Sequence, residues 1–179
     1  MPVKIRITLV FTSLVAVILA LVCMSIYYFS YTRRVDSIES KLTNRAITIG
    51  SLLNQSVFFS NNLVRKIDST TFLAYTDKII QAYNAENKKI YEYNDNPASE
   101  LEIAPKLLDQ ARKKKKVFFS IGKKEVVAYH YTDHTYSVVL VAAGYDREGK
   151  HNLANLTSIL FSSYLAGLVI AGISGYLFA

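Results

Sequence analysis

The sequence predicts a mixed α+β domain held between two membrane-spanning helices. Ile7 to Phe29 and Leu156 to Ala179 are apolar or small almost throughout and contain no charged side chain. Because a helix rises about 1.5 Å per residue, each stretch can cross a hydrocarbon core of about 30 Å. All 14 acidic residues, and every basic residue except Lys4 and Arg6, lie between the two stretches. Helix-like and strand-like segments alternate in that middle part, which favours a domain with one sheet.

The two apolar stretches divide the chain into four parts. Residues 1–6 form the N-terminus, 7–29 the first span, 30–153 the external domain and 154–179 the second span. Residues 30–60 are expected to continue the first span as a juxtamembrane stalk helix. The middle part is long enough for one ordinary domain with its own core.

The flank of the first span predicts its orientation. Lys4 and Arg6 precede the span, and basic flanks stay on the cytoplasmic side. Two spans therefore place both termini in the cytoplasm and the domain outside. A cleaved signal peptide is the alternative, but its apolar core is only about 7–15 residues long and ends at a small-residue cleavage site. Cys23, the sole cysteine, lies within the span, so the domain folds without disulfides.

The expected stalk helix carries an apolar seam. Residues at heptad spacing are Val35, Ile38, Leu42, Ile49 and Leu52. Arg45 interrupts this seam, which is also short. Two interpretations stay open: the helix packs on its own domain, or it pairs with a second copy as a dimer stalk.

Between the stalk and the last third, the pattern predicts two helices and two strands. A helix is expected from about Thr71 to Tyr83, because apolar residues recur there at helical spacing. After a turn, Lys89 to Tyr93 has strand character, and Glu100 to Ile103 alternates briefly. Pro105 suits the first turn of a helix that continues through Ala111.

The last third predicts an antiparallel meander. Val117 to Ile121, Glu125 to Thr132 and Thr135 to Ala143 are rich in β-branched and aromatic residues, and short polar turns separate them. Tyr129, Tyr131 and Tyr136 belong to this meander. Aromatic residues there are ordinary sheet stabilisers, and a contact with a small ligand is the alternative.

The order of these elements between two spans resembles the extracytoplasmic PAS-like (single Cache or PDC-type) sensor domain of bacterial sensor histidine kinases. The resemblance is carried by the juxtamembrane helix, Ile90-Tyr91-Glu92-Tyr93, Pro105 through Lys116, Val117 through Gly122, and Val126 through Tyr129. It implies a bacterial inner-membrane protein that senses a small ligand or physical stimulus in the periplasm and forms a homodimer.

In that family a HAMP linker, a helix with the phospho-accepting histidine and an ATP-binding domain follow the second span. The resemblance therefore implies that ATP, Mg²⁺ and a response regulator belong to a region beyond Ala179, and that this chain carries no cofactor. The expected function is stimulus sensing and transmembrane relay. Alternatives are the input of a chemoreceptor or nucleotide cyclase, or a complete two-span scaffold protein.

Several residue patterns resemble chemical sites but favour a structural role. Arg112 to Lys116 is a run of five bases, which points all around a helix and suits a solvated helix end near the carbonyls. His130, Asp133 and His134 lack further ligands for zinc. With three histidines, one membrane cysteine and no glycine-rich phosphate loop, no catalytic or metal residue is predicted. An external location excludes nucleic acid as a partner.

The second span contains a face of small residues at four-residue spacing. Its members are Ser163, Gly167, Ala171, Gly175 and Ala179. Small residues let two helix backbones approach closely inside lipid, where packing drives association. The predicted neighbour of this face is either a partner subunit or the first span, at Thr12, Ala16 and Ala20.

Overall fold

The computed structural model describes residues 3–54, 76–97, 99–133 and 137–178. In these residues the elements are α1 (Val3–Asn54), β1 (Thr76–Tyr83), β2 (Lys89–Asn94), α2 (Pro105–Lys114), β3 (Lys116–Ile121), β4 (Lys124–Thr132), β5 (Ser137–Tyr145) and α3 (Arg147–Phe178). The predicted α+β class is confirmed. The chain forms two compact units: a sheet unit, Val35–Glu148, and a helical unit of residues up to Arg34 and from Gly149 onward.

The sheet unit is built on a five-stranded antiparallel sheet in the order β2-β1-β5-β4-β3. The meander predicted for the last third is present as β3, β4 and β5. A turn at Asn84 to Lys88 joins β1 to β2, with the Asn87 amide donating to the Asn84 carbonyl at 3.1 Å. β5 is central, because it pairs with β1 on one side and β4 on the other.

The two faces of the sheet carry separate apolar cores. Alternate residues of β5 point to opposite sides: Val138, Leu140 and Ala142 face α1, while Val139, Val141 and Ala143 face α2. The strand period of two produces this division. Both helices therefore cover the sheet, and β5 is buried on both faces.

The second half of α1 packs its apolar stripe against the sheet. The buried stripe residues are Ile38, Leu42, Ala46, Ile49 and Leu53. Their three- and four-residue spacing places them on one helix face. Three of the predicted heptad positions, Ile38, Leu42 and Ile49, thus lie in the core of their own domain.

α2 begins at Pro105 as predicted, with proline in its first turn. Leu108 and Ala111 are buried beneath it. Lys115 has a φ of 68°, which ends the helix and directs the chain into β3.

Two predictions for the middle of the chain were wrong. The helix expected at Thr71–Tyr83 is strand β1 from Thr76 onward, and residues 71–75 lie outside the described residues. Ile79 to Tyr83 is buried on both faces, so its apolar run gave no strand alternation. Glu100–Ile103 is irregular rather than a strand, although its alternation does bury Leu101 and Ile103 under α2.

In the helical unit, α1 and α3 each contain a stretch long and apolar enough to cross a membrane. Their large apolar side chains project outward: Val10 is 70% exposed and Phe161 is 64% exposed. Contiguous apolar surface of this extent suits lipid rather than water.

Candidate functional site

Tyr129 and Tyr131 lie on the α1 face of β4. Both rings are half-buried and pack against the cluster that α1 forms with the sheet. The helix comes close at Gly50, where an added methyl group would lie 2.7 Å from Leu140 Cδ1 and 2.7 Å from Tyr131 Cδ2. Tyr131 thus lies against α1 at Gly50. Contact of either tyrosine with a ligand stays a prediction. Tyr136, the third candidate, lies outside the described residues.

The histidine-rich turn does not assemble a ligand set in the described part of the chain. His130 Nε2 lies 3.0 Å from Ser137 Oγ, and Asp133 Oδ2 accepts a hydrogen bond from Asn54 Nδ2 at 2.7 Å. His134 falls outside the described residues. Among those that are described, no three potential metal ligands cluster.

The α2 face contains a polar network that the sequence analysis did not identify. Gln81, in strand β1 between β2 and β5, is 0% exposed. Its Oε1 accepts from the Tyr83 hydroxyl at 2.8 Å, and its Nε2 donates to Glu92 Oε1 at 2.8 Å. The same Nε2 donates to the Leu101 carbonyl at 2.9 Å. One signal was present in the sequence, since a glutamine interrupts an otherwise apolar run.

At the edge of this network, the Glu92 carboxylate forms an ion pair with Lys89. Lys89 Nζ lies 2.6 Å from Glu92 Oε2. Hydrogen bonds from Lys89 and then Gln81 lower the pKa of Glu92. Burial, with Glu92 and Glu102 nearby, raises the pKa of Tyr83, so its hydroxyl stays a donor.

A second polar group lies between α1 and β2. Burial lowers the pKa of the half-buried Arg45 guanidinium, although Tyr93, Asp95 and Tyr91 oppose that change. The Tyr93 hydroxyl donates to Asp95 Oδ1 at 2.5 Å. Burial and this hydrogen bond raise the pKa of Tyr93 to about 12. The residue that interrupts the predicted seam is therefore near enough to Tyr91, Tyr93 and Asp95 to be influenced by their charges.

The basic run Arg112–Lys116 is divided by the end of α2. Arg112 pairs with Asp109 at 2.7 Å and donates to the Asn84 carbonyl at 2.7 Å. Lys116 pairs with Glu39 of α1 at 2.6 Å. The three lysines between them are exposed. The run thus fastens α2 to a turn and β3 to α1, and its middle is solvated.

The small-residue face of α3 lies against α1 in the helical unit. A methyl group added at Gly167 would lie 2.7 Å from Leu19 Cδ1. One added at Gly175 would lie 3.2 Å from Thr8 Cγ2 and 3.4 Å from Phe11 Cδ1. Ala171 between them is buried, whereas Ser163 is exposed. The atoms nearest to the two glycines come from Leu19, Thr8 and Phe11 of α1. Contacts of this face with Thr12, Ala16 and Ala20 stay a prediction.

The route out of the sheet unit is short. β5 ends at Tyr145, Asp146 follows, and α3 begins at Arg147. Asp146 is buried, which is unusual for a carboxylate. The central strand is therefore joined to the second apolar helix by one residue.

Searches against protein-family models, curated proteins and solved structures found no match to this chain.

Proposed function

We propose that this chain is the stimulus-sensing and transmembrane relay part of a bacterial sensor histidine kinase. The observation that carries the proposal is the one-residue link, Asp146, between β5 and α3. β5 contributes to both apolar cores, so a rearrangement on either face acts on the strand that leads into the apolar helix. α1 is a second direct connection, because it runs without a break from the apolar stretch into the sheet unit.

The mechanism is a shift between two arrangements of the sheet unit. A ligand or physical stimulus that favours one arrangement supplies the free energy through its different affinity for the two states. Small movements of packed helices are an established way to transmit such a shift. In this chain the moving parts are β5 and α3, with α1 as the opposing element.

The PAS-like assignment is supported by architecture alone. An antiparallel sheet with a long N-terminal helix on one face is what the resemblance implies. Tyr129 and Tyr131 remain candidate contacts for a small ligand. The homodimer, periplasmic placement of the sheet unit, and the ATP, Mg²⁺ and response regulator of a following kinase region belong to the same proposal.

The relay can be tested without knowing the stimulus. In the parent protein in membrane vesicles, Gly50→Leu perturbs the contact between α1 and the sheet, and Asn152→Pro interrupts α3 after its first turn. We expect Gly50→Leu to change the autophosphorylation rate, and Asn152→Pro to remove that difference. Asn152→Ala is the matched control and should leave the response to Gly50→Leu intact.

Two results would count against the proposal. The relay through α3 is wrong if Gly50→Leu has the same effect with and without Asn152→Pro. The kinase assignment is wrong if the reading frame after Ala179 encodes a chemoreceptor bundle or a cyclase in place of a histidine-bearing helix and an ATP-binding domain.

A further inference from the structure

Exposed tyrosines lie at the C-terminal end of the apolar stretch in each helix of the helical unit. Tyr27, Tyr28 and Tyr31 close the apolar run of α1, and Arg33 follows them. Tyr28 is 66% exposed, so its ring projects from the outer surface of the helix. Tyr176, near the end of α3, is 67% exposed.

Contacts between α1 and α3 define a common depth scale. Cys23 Sγ lies 3.9 Å from the Leu160 carbonyl oxygen. Further along, Gly175 lies beside Thr8. Fifteen residues separate the two contacts on each helix, since 23 minus 8 equals 175 minus 160. The helices are therefore antiparallel with a constant register.

This register places the tyrosines at two levels. Tyr28 is level with Asn155 of α3, and Tyr176 is level with Ile7 of α1. The two levels are 21 residues apart on α1, taking 28 minus 7. That separation corresponds to about 31 Å of helix, which matches a hydrocarbon core of about 30 Å.

Charge begins just beyond one of these levels. Arg33 lies five residues past Tyr28, or about 7 Å along the helix, and is exposed. By the same register it is level with Lys150 of α3. Both helices thus leave the apolar zone at one depth.

We propose that Tyr27, Tyr28, Tyr31 and Arg33 form an interfacial belt that seats α1 in the phospholipid headgroup layer. Tyrosine suits this layer because its ring is apolar and its hydroxyl is polar. The Arg33 guanidinium donates to lipid phosphate, for which its planar fork is well matched. Tyr176 marks the opposite boundary on α3. The proposal concerns membrane placement and does not depend on signalling.

The sequence offers a direct test, because the chain contains no tryptophan. Each of Tyr28→Trp, Tyr176→Trp and Val17→Trp introduces a single indole into the full chain. Val17, 58% exposed and midway between the two levels, is the matched control. The variants are reconstituted in phosphatidylcholine vesicles whose acyl chains are brominated either near the headgroup or near the chain end.

We expect shallow bromine to quench Tyr28→Trp and Tyr176→Trp about twofold more than deep bromine does, and the reverse order for Val17→Trp. Stronger deep quenching of Tyr28→Trp would overturn the belt. Protection of that indole from both bromines and from aqueous iodide would overturn it too, in favour of burial against a second copy. Weak quenching of Val17→Trp by deep bromine would contradict both the membrane crossing of α1 and the belt.

Arg33 is tested in the Tyr28→Trp background. Arg33→Leu extends the apolar run, so the helix should sink and the ratio of shallow to deep quenching should fall. An unchanged ratio would exclude Arg33 from the belt. These depths are independent of the Asn152→Pro result, so failure of the belt and failure of the relay are distinguishable.

Discussion

At the scale of single residues, Gly50 determines how closely α1 approaches the sheet. Any side chain there meets Leu140, which is fully buried, and the ring of Tyr131. A more helix-favouring residue would gain about 1 kcal/mol in propensity. Close packing is therefore the reason that a glycine is accommodated within this helix.

We expect Gly50→Leu to lower the free energy of unfolding by about 1–3 kcal/mol, because overpacking forces neighbours from their rotamers. Urea denaturation of the full chain in detergent, followed by circular dichroism, measures this. Thr48→Leu, on the exposed side of the same helix, should change stability by less than about 0.5 kcal/mol. Equal stability of the two variants would contradict the close approach.

Glu92 makes the stability of the sheet unit depend on pH. Its pKa is lowered in the folded state, so it contributes stability above its ordinary value of 4.5. That contribution is lost as the pH falls below 4.5 through the folded pKa. We expect Glu92→Gln to flatten the acid limb of a thermal-stability profile. Glu86→Gln, in the exposed turn, should retain the slope; a wild-type slope for Glu92→Gln would contradict the account.

At the scale of elements, the apolar stripe of the stalk helix α1 packs against the sheet. Heptad spacing is compatible with a partner helix or with a sheet, because both accept an apolar stripe. Here Ile38, Leu42 and Ile49 are buried against the sheet of their own domain. A homodimer stays a prediction, and a pairing of two α1 helices would have to use residues other than these three.

The packing of α1 and α3 yields another prediction. Gly167→Leu would place a side chain where Leu19 already lies, so we expect a loss of about 1–3 kcal/mol in the helical unit. Thermal unfolding in detergent checks it. Gly172→Leu is the control on the same helix, since an added methyl group there meets nothing within 4 Å. Similar midpoints for the two variants would show that Gly167 is not at a close contact.

At the scale of the whole molecule, the orientation in the membrane is the main prediction. In a Cys23→Ser background, the exposed Lys113→Cys should react with a membrane-impermeant maleimide in spheroplasts, which expose the outer face of the inner membrane. Lys4→Cys should react only after permeabilisation, because basic flanks stay inside. The opposite pattern of labelling would place the sheet unit in the cytoplasm and contradict the proposed periplasmic placement.

Most of the fold followed from local patterns. The apolar stretches, the meander and the helix beginning at Pro105 are each encoded by neighbouring residues. Strand β1 was not predicted from the sequence, because a segment buried on both faces lacks the alternation that distinguishes a strand from a helix. The Gln81 network was equally hidden, since its partners come from β2 and from the segment before α2.

By itself, the sequence determined that two long apolar segments flank an α+β domain, because charge and hydropathy are properties of consecutive residues. Only the tertiary structure decided that the stalk stripe packs on its own sheet, that Gly50 and Gly167 are contact points, and that β5 is central. These features depend on residues far apart in the chain, whose meeting is set by packing and strand order rather than by local spacing.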